Sequence, residues 1–293
     1  MKRHNDYQYA GYLYILPWII GFLSLQLIPL INSFVYSFTN LQLLGTRRFI
    51  GLENYAKLFK DPLFWQSMKV TFLYVLMAVP CKIGFALLIA IILNQNLKGI
   101  NLFRTLYYLP SILGGSVAIS VLWRYLFMDN GILNNILSFL HLPTHSWLGD
   151  PRLALPTIGL VTVWQFGSSM LIFLAGLKQI PAVLYEAAEL DGSGKLRTFW
   201  RITLPSLSPI VLFNLVMQMI NAFQEFTPAF VITQGGPLNS TYLYGLLLYN
   251  QGFKFFKMGY ASALSWILFA IILVFTGLTF FSSQSWVHYG DNV

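Results

Sequence analysis

The chain has 293 residues, of which 56% are hydrophobic, 17% aromatic and only 10% charged. A water-soluble globular chain carries about 25% charged residues, so this one cannot cover its surface with water-compatible groups, and most of its solvent is lipid. The net charge of +8 suits anionic headgroups, and no Lys/Arg-dense recognition helix or RNA-stacking sheet is visible, which excludes nucleic acid as a partner.

Lys2 and Arg3 precede an apolar stretch that runs without charge from Tyr7 to Thr46. It is too long for the core of a signal peptide and lacks an A-x-A cleavage site, so it is expected to be a retained membrane span. A spanning helix needs about 20 residues largely free of charge, because an ion in hydrocarbon is costly to desolvate. Six stretches qualify: Tyr12–Phe38, Val70–Leu93 with Lys82 inside it, Thr105–Met128, Leu153–Leu177, Ser206–Ile232 with Glu225 inside it, and Gly259–Ser282. All are too long for barrel strands and none alternates with a period of two. The expectation is an all-α membrane protein of six transmembrane helices, with residues 1–293 forming a single membrane domain.

The connections differ in character. Thr39–Lys69 suggests a short amphipathic helix on the membrane surface, carrying Lys57, Leu58, Phe59, Phe64 and Trp65. Asn94–Arg104 is short, Asp129–Arg152 is mixed, Lys178–Pro205 is highly charged, and Thr233–Met258 is rich in Gly, Asn and Tyr. Counting Lys and Arg on the two sides leaves eight with the amino terminus and nine opposite, so the positive-inside rule does not choose an orientation. His141 and His145 have a helical metal spacing, but Pro143 lies between them and no third ligand is evident. Cys81 is the only cysteine, so neither an intrachain disulfide nor a multi-cysteine metal site is expected, and no cofactor is implied.

The most informative segment lies between the fourth and fifth spans. Pro181 suits a helix start, Ala182–Leu190 are mostly good helix formers, and Gly192 permits a turn. A second short helix carrying Leu196, Phe199, Trp200 and Ile202 ends at Pro205. The product is a helix-turn-helix at the membrane surface, with Ala187, Ala188 and Gly192 small enough at the bend for another protein to approach closely. Gly192-Ser193-Gly194-Lys195-Leu196 has the end of a phosphate-binding loop, but Glu189 stands where its first Gly belongs and Leu196 replaces Ser/Thr.

This segment resembles the EAA loop of ABC importer permeases, whose pattern is Glu-Ala-Ala, three residues, Gly, nine residues, then Ile-x-Leu-Pro. Glu186, Ala187, Ala188, Gly192, Ile202, Leu204 and Pro205 match it without a gap. The resemblance extends along nearly the whole chain to the maltose-like, carbohydrate-type branch. It includes Leu16-Pro17, Gly51-Leu52-Glu53-Asn54-Tyr55, Phe103-Arg104-Thr105-Leu106-Tyr107-Tyr108-Leu109-Pro110, Thr233-Gln234-Gly235-Gly236-Pro237 and Met258-Gly259-Tyr260-Ala261. The chain lacks the extra spans and large outer domain of the maltose system's larger permease.

The resemblance implies a type I ABC importer permease fold in a bacterial cell membrane, with the loop and both termini cytoplasmic. It also implies four kinds of partner: a second, dissimilar permease in a heterodimer, an ABC ATPase dimer that hydrolyses the ATP, an extracytoplasmic solute-binding protein, and membrane lipid. The chain itself would be a transport subunit rather than an enzyme, moving a sugar or oligosaccharide. A secondary transporter or channel would explain the helices but not the loop, and an integral-membrane enzyme would need a catalytic constellation that does not appear.

A substrate pathway should be lined by polar groups inside apolar spans. Asn214, Gln218, Asn221 and Glu225 recur at i, i+4, i+7 and i+11, within an arc of about 60° on one helix. Such a stripe faces either a cavity or a neighbouring helix. Trp164, Gln165, Tyr107 and Tyr108 are expected companions, since aromatic faces pack on sugar rings. Lys82 snorkels, pairs with Glu225 or meets an acidic sugar. Glu186 either makes an ion pair with the ATPase or is a solvated acid favoured by the helix dipole.

Overall fold

The computed structural model describes residues 6–42, 47–95 and 98–288, with side chains from Tyr12 onward. Lys2 and Arg3, which entered the charge count, lie outside these residues. Among the described residues all regular structure is helical, apart from one isolated bridge between Thr39 and Phe49. The chain divides into two compact units, Met1–Asp61 with Leu248–Phe269 and Pro62–Leu247 with Ala270–Val293.

The first unit is built on helix α1, which runs through Asp6–Phe22, a wider turn at Leu23–Leu27, and Ile28–Ser37. The widening falls just before Pro29, which has no N–H to offer the carbonyl four residues back. Its Tyr12–Ser37 portion is long and apolar enough to cross a membrane. A short helix, α2 (Glu53–Lys60), then ties off its end. Asn54 Nδ2 donates to the carbonyls of Ser37 and Thr39 at 2.8 Å each, and the Tyr55 hydroxyl donates to Ser37 Oγ at 2.8 Å. These bonds satisfy carbonyls that the helix end leaves open. Gly259 lies against the same loop: its N–H donates to Leu41 O at 3.0 Å, and a Cβ there would run into Thr39 O. The motifs around Asn54 and Gly259 are therefore devices that close the first span.

The second unit surrounds helix α3 (Pro62–Leu93), whose 32 residues extend about 48 Å at ~1.5 Å per residue. It begins at Pro62 rather than near Val70, because Pro suits the first helical position. Phe64, Trp65 and Lys69 consequently belong to α3 and not to a surface helix, which is confined to α2.

The helices that follow come as bent pairs. Helix α4 (Ile100–Leu113) meets α5 (Val117–Phe127) and α6 (Ile132–Phe139) at a 101° bend across Gly114-Gly115-Ser116. Helix α7 (Ala154–Trp164) meets α8 (Gly167–Leu177) at 48°. Beyond α9 (Ala182–Leu190), α10 (Lys195–Ser206, with a wider turn at Phe199–Thr203) meets α11 (Ser208–Phe223) at 66°. A short α12 (Tyr244–Tyr249) precedes α13 (Met258–Ser283). Among the described residues, then, three continuous helices can cross a membrane and three bent pairs can each make one further span.

One part of this unit's core is a seam between α3 and α8. Ala86, Ile89, Ala90 and Leu93 interlock with Phe166, Met170, Phe173, Leu174 and Leu177, and Leu207 closes one end. Both sets follow helical spacing, and the small alanines let the backbones approach. Arg104 donates to Leu93 O at 2.8 Å, placing a cation on the carbonyl end of α3.

Candidate functional site

The elbow between α8 and α11 is made by α9 and α10. Helix α9 stops because Gly192 takes φ +71°, a left-handed conformation that costs other residues about 1–2 kcal/mol. The resulting cap joins Ser193 N–H to Ala188 O at 2.8 Å and Gly192 N–H to Glu189 O at 3.0 Å. Tyr185 and Thr203 share a hydroxyl hydrogen bond at 3.1 Å, which locks α9 to α10.

Of the seven motif residues, Ala188 is buried, Ile202, Leu204 and Pro205 are half-buried, and Glu186, Ala187 and Gly192 are exposed. Around them Val183, Leu190, Leu196 and Trp200 are 69%, 90%, 73% and 60% exposed. Four exposed apolar side chains thus share this one elbow. Beneath the elbow lies a cleft of about 590 Å³ bounded by Ile91 and Asn94 at the end of α3, Leu177 at the end of α8, and Tyr185 and Glu189 of α9. At its far end α10 bends at the fully buried Leu207 into α11.

The polar stripe divides on α11. Asn214 and Gln218 are 1% and 8% exposed, and Gln218 Nε2 donates to Ser169 Oγ of α8 at 3.0 Å. Asn214 Nδ2 turns back to Ile210 O at 3.1 Å, while its buried Oδ1 has no hydrogen-bond partner. Asn221 is exposed. Glu225 lies beyond the helix end at Phe223, accepting from Phe226 N–H at 3.1 Å and from Thr162 Oγ1 at 3.4 Å. Thr162 in turn meets the Tyr74 hydroxyl at 2.5 Å. Lys82 is 8% exposed and interacts electrostatically with Glu225, but makes no salt bridge among the described residues.

The aromatic companions gather elsewhere in this unit. Trp164 and Tyr107 line a cleft of about 510 Å³ with Phe85, Phe103, Pro110 and Phe166. Gln165 sits at the α7–α8 break, its carbonyl accepting from Ser111 Oγ at 3.1 Å. Tyr108 is half-buried and does not line that cleft. Periodicity could not reveal Ser169, Thr162 or Tyr74, because each acquires its importance from a neighbour on another helix. Phe85 and Phe166 are hidden among the 25 phenylalanines of an apolar chain. The imidazole of His145 packs edge-on to Trp147, with ring centres 5.3 Å apart, and its backbone is held by Asn134.

Known proteins resemble the chain over nearly its full length. It is 50% identical over 284 residues to the probable ABC transporter permease protein YesP of Bacillus subtilis, covering 96% of this chain and 92% of that one. It is 32% identical over 292 residues to the lactose transport system permease protein LacF of Rhizobium radiobacter, covering 97% and 96%. Its fold matches a chain in the crystal structure of a bacterial ABC transporter that imports the acidic polysaccharide alginate, with a TM-score of 0.80 at 23% identity, covering 96% of each chain. Residues 64–288 match the model of the binding-protein-dependent transport system inner membrane components. That match takes in α3, the elbow and the polar stripe, and the chain belongs to this family.

Proposed function

We propose that this chain is the membrane-spanning subunit of an ATP-driven importer, moving a sugar or oligosaccharide delivered by an extracytoplasmic binding protein. The observation that carries the reading is the elbow: a rigid two-helix turn with exposed apolar side chains, joined through one buried hinge at Leu207 to the helix that bears the polar stripe. The substrate class rests on similarity to the lactose permease component and on the branch that the motifs resemble.

In this reading residues 1–293 form one permease domain, and both termini and the elbow face the cytoplasm. The chain pairs with a second, dissimilar permease. ATP is bound and hydrolysed by a separate ATPase dimer, and this chain is not itself an enzyme. Closure of that dimer pushes the elbow as a rigid body. Glu186, Ala187, Ala188 and Gly192 make the docking contact, while Ile202, Leu204 and Pro205 pass the movement to Leu207 and α11.

The substrate moves past Asn221, Glu225 and Lys82, whose amide and charged groups suit sugar hydroxyls. Asn214 and Gln218 continue this polar face into the helix bundle, and Trp164 and Gln165 stand beside the aromatic cleft, where rings can stack on a sugar face. Glu186→Lys reverses the charge at the docking contact. It is expected to reduce uptake of labelled sugar at least tenfold, roughly 1.4 kcal/mol of coupling, with membrane insertion unchanged. Full uptake by the variant would remove the elbow from the mechanism.

A further inference from the structure

The second unit carries another cleft, at the end of α3 away from the elbow, with a volume of about 500 Å³. Its polar lining is Lys69 of α3, Arg152 just before α7, Gln66 and Ser240, and its aliphatic lining includes Leu73, Leu76 and Leu155. Leu76 stands seven residues beyond Lys69, about 10 Å further along the helix at ~1.5 Å per residue. The cleft thus passes from polar and cationic to aliphatic along the direction in which a membrane passes from headgroups to hydrocarbon.

The two cations are poorly explained by the protein alone. Both are exposed, and neither forms a salt bridge among the described residues. Asp150, the acid nearest Arg152 in sequence, spends an oxygen on the Arg152 backbone N–H at 2.8 Å. Ser240 Oγ is buried without a hydrogen-bond partner, and its loop is held to α3 by Gln66 Nε2 donating to Asn239 O at 3.4 Å. Cations that merely snorkelled would spread towards water. Here two like charges line one groove whose lining holds no carboxylate, an arrangement that a shared anion stabilises.

We propose that this cleft binds one anionic phospholipid, with its phosphate between Lys69 and Arg152, its headgroup hydroxyls towards Ser240, and an acyl chain along Leu73, Leu76 and Leu155. The site is independent of which way the elbow faces and of what the chain transports.

The test uses the full chain purified from membranes in mild detergent, with thermal unfolding followed during titration with dioleoyl phosphatidylglycerol or phosphatidylcholine. Phosphatidylglycerol is expected to raise the midpoint more than phosphatidylcholine. In Lys69→Gln/Arg152→Gln its apparent affinity should fall about tenfold or more, while the phosphatidylcholine response is unchanged. Leu76→Trp keeps both charges and fills the aliphatic wall, so it should also weaken phosphatidylglycerol binding, which guards against a double variant that fails to fold. Inorganic phosphate should not reproduce the shift. Equal responses to the two lipids, retention of the preference in the double variant, or a full shift with phosphate alone would each overturn the proposal.

Discussion

Three polar residues on one helical face, and Glu225 just past the helix end, do different work because their neighbours differ. Gln218 is bonded to Ser169 and Asn214 to its own helix, whereas Asn221 is exposed and Glu225 reaches Thr162 beyond the helix end. The spacing on α11 was readable, since 3.6-residue periodicity depends only on the chain itself. The division was not, because periodicity identifies a face without saying what covers each level of it. This difference separates two substitutions. Gln218→Leu strands a buried hydroxyl on Ser169 and should lower stability by about 1 kcal/mol. Asn221→Leu removes nothing from the interior and should change substrate-stimulated transport while leaving the thermal midpoint within about a degree. Measuring uptake and unfolding for both variants checks the assignment, and exchanged effects would contradict it.

At the scale of elements, the elbow was legible almost residue by residue. The turn at Gly192, the helix before it and the stop near Pro205 all follow from propensity and capping chemistry. The span breaks were not. The 101° bend at Gly114-Gly115-Ser116 and the 48° break near Gln165 lie within continuous apolar runs, where hydropathy registers length and not direction. The start of α3 at Pro62 differs from the charge-poor stretch beginning at Val70 for the opposite reason: a charge such as Lys69 ends an apolar run but not a helix, since a long side chain near a helix end can reach the interface. The elbow also offers a test at this scale. A Cβ at Gly192 would meet nothing within 4 Å, so Gly192→Val acts through its φ of +71° alone. It should destabilise the turn by about 1–2 kcal/mol and abolish uptake, with faster hydrogen exchange at Ser193. Normal uptake with unchanged exchange would mean that the turn tolerates redirection.

At the scale of the molecule, α3 sets the distances. From Lys69 to Ile91 it covers 22 residues, about 33 Å at ~1.5 Å per residue, close to the ~30 Å hydrocarbon thickness. It therefore carries the cleft proposed to bind lipid at one end and the cleft beneath the elbow at the other. The exposed apolar side chains of the elbow lie beside the second of these, where a partner outside the membrane can take hold. The most direct measurement places a cysteine at Leu190, which is 90% exposed, in a chain whose single native cysteine, Cys81, has been replaced by alanine. A membrane-impermeant maleimide should label Leu190→Cys only from the cytoplasmic side. A bifunctional cross-linker should join it to an ATP-hydrolysing subunit, with a yield that changes when ATP binds. Labelling only from outside the cell, or no cross-link to a nucleotide-binding subunit in an actively transporting complex, would contradict the proposal that the elbow receives the driving motion.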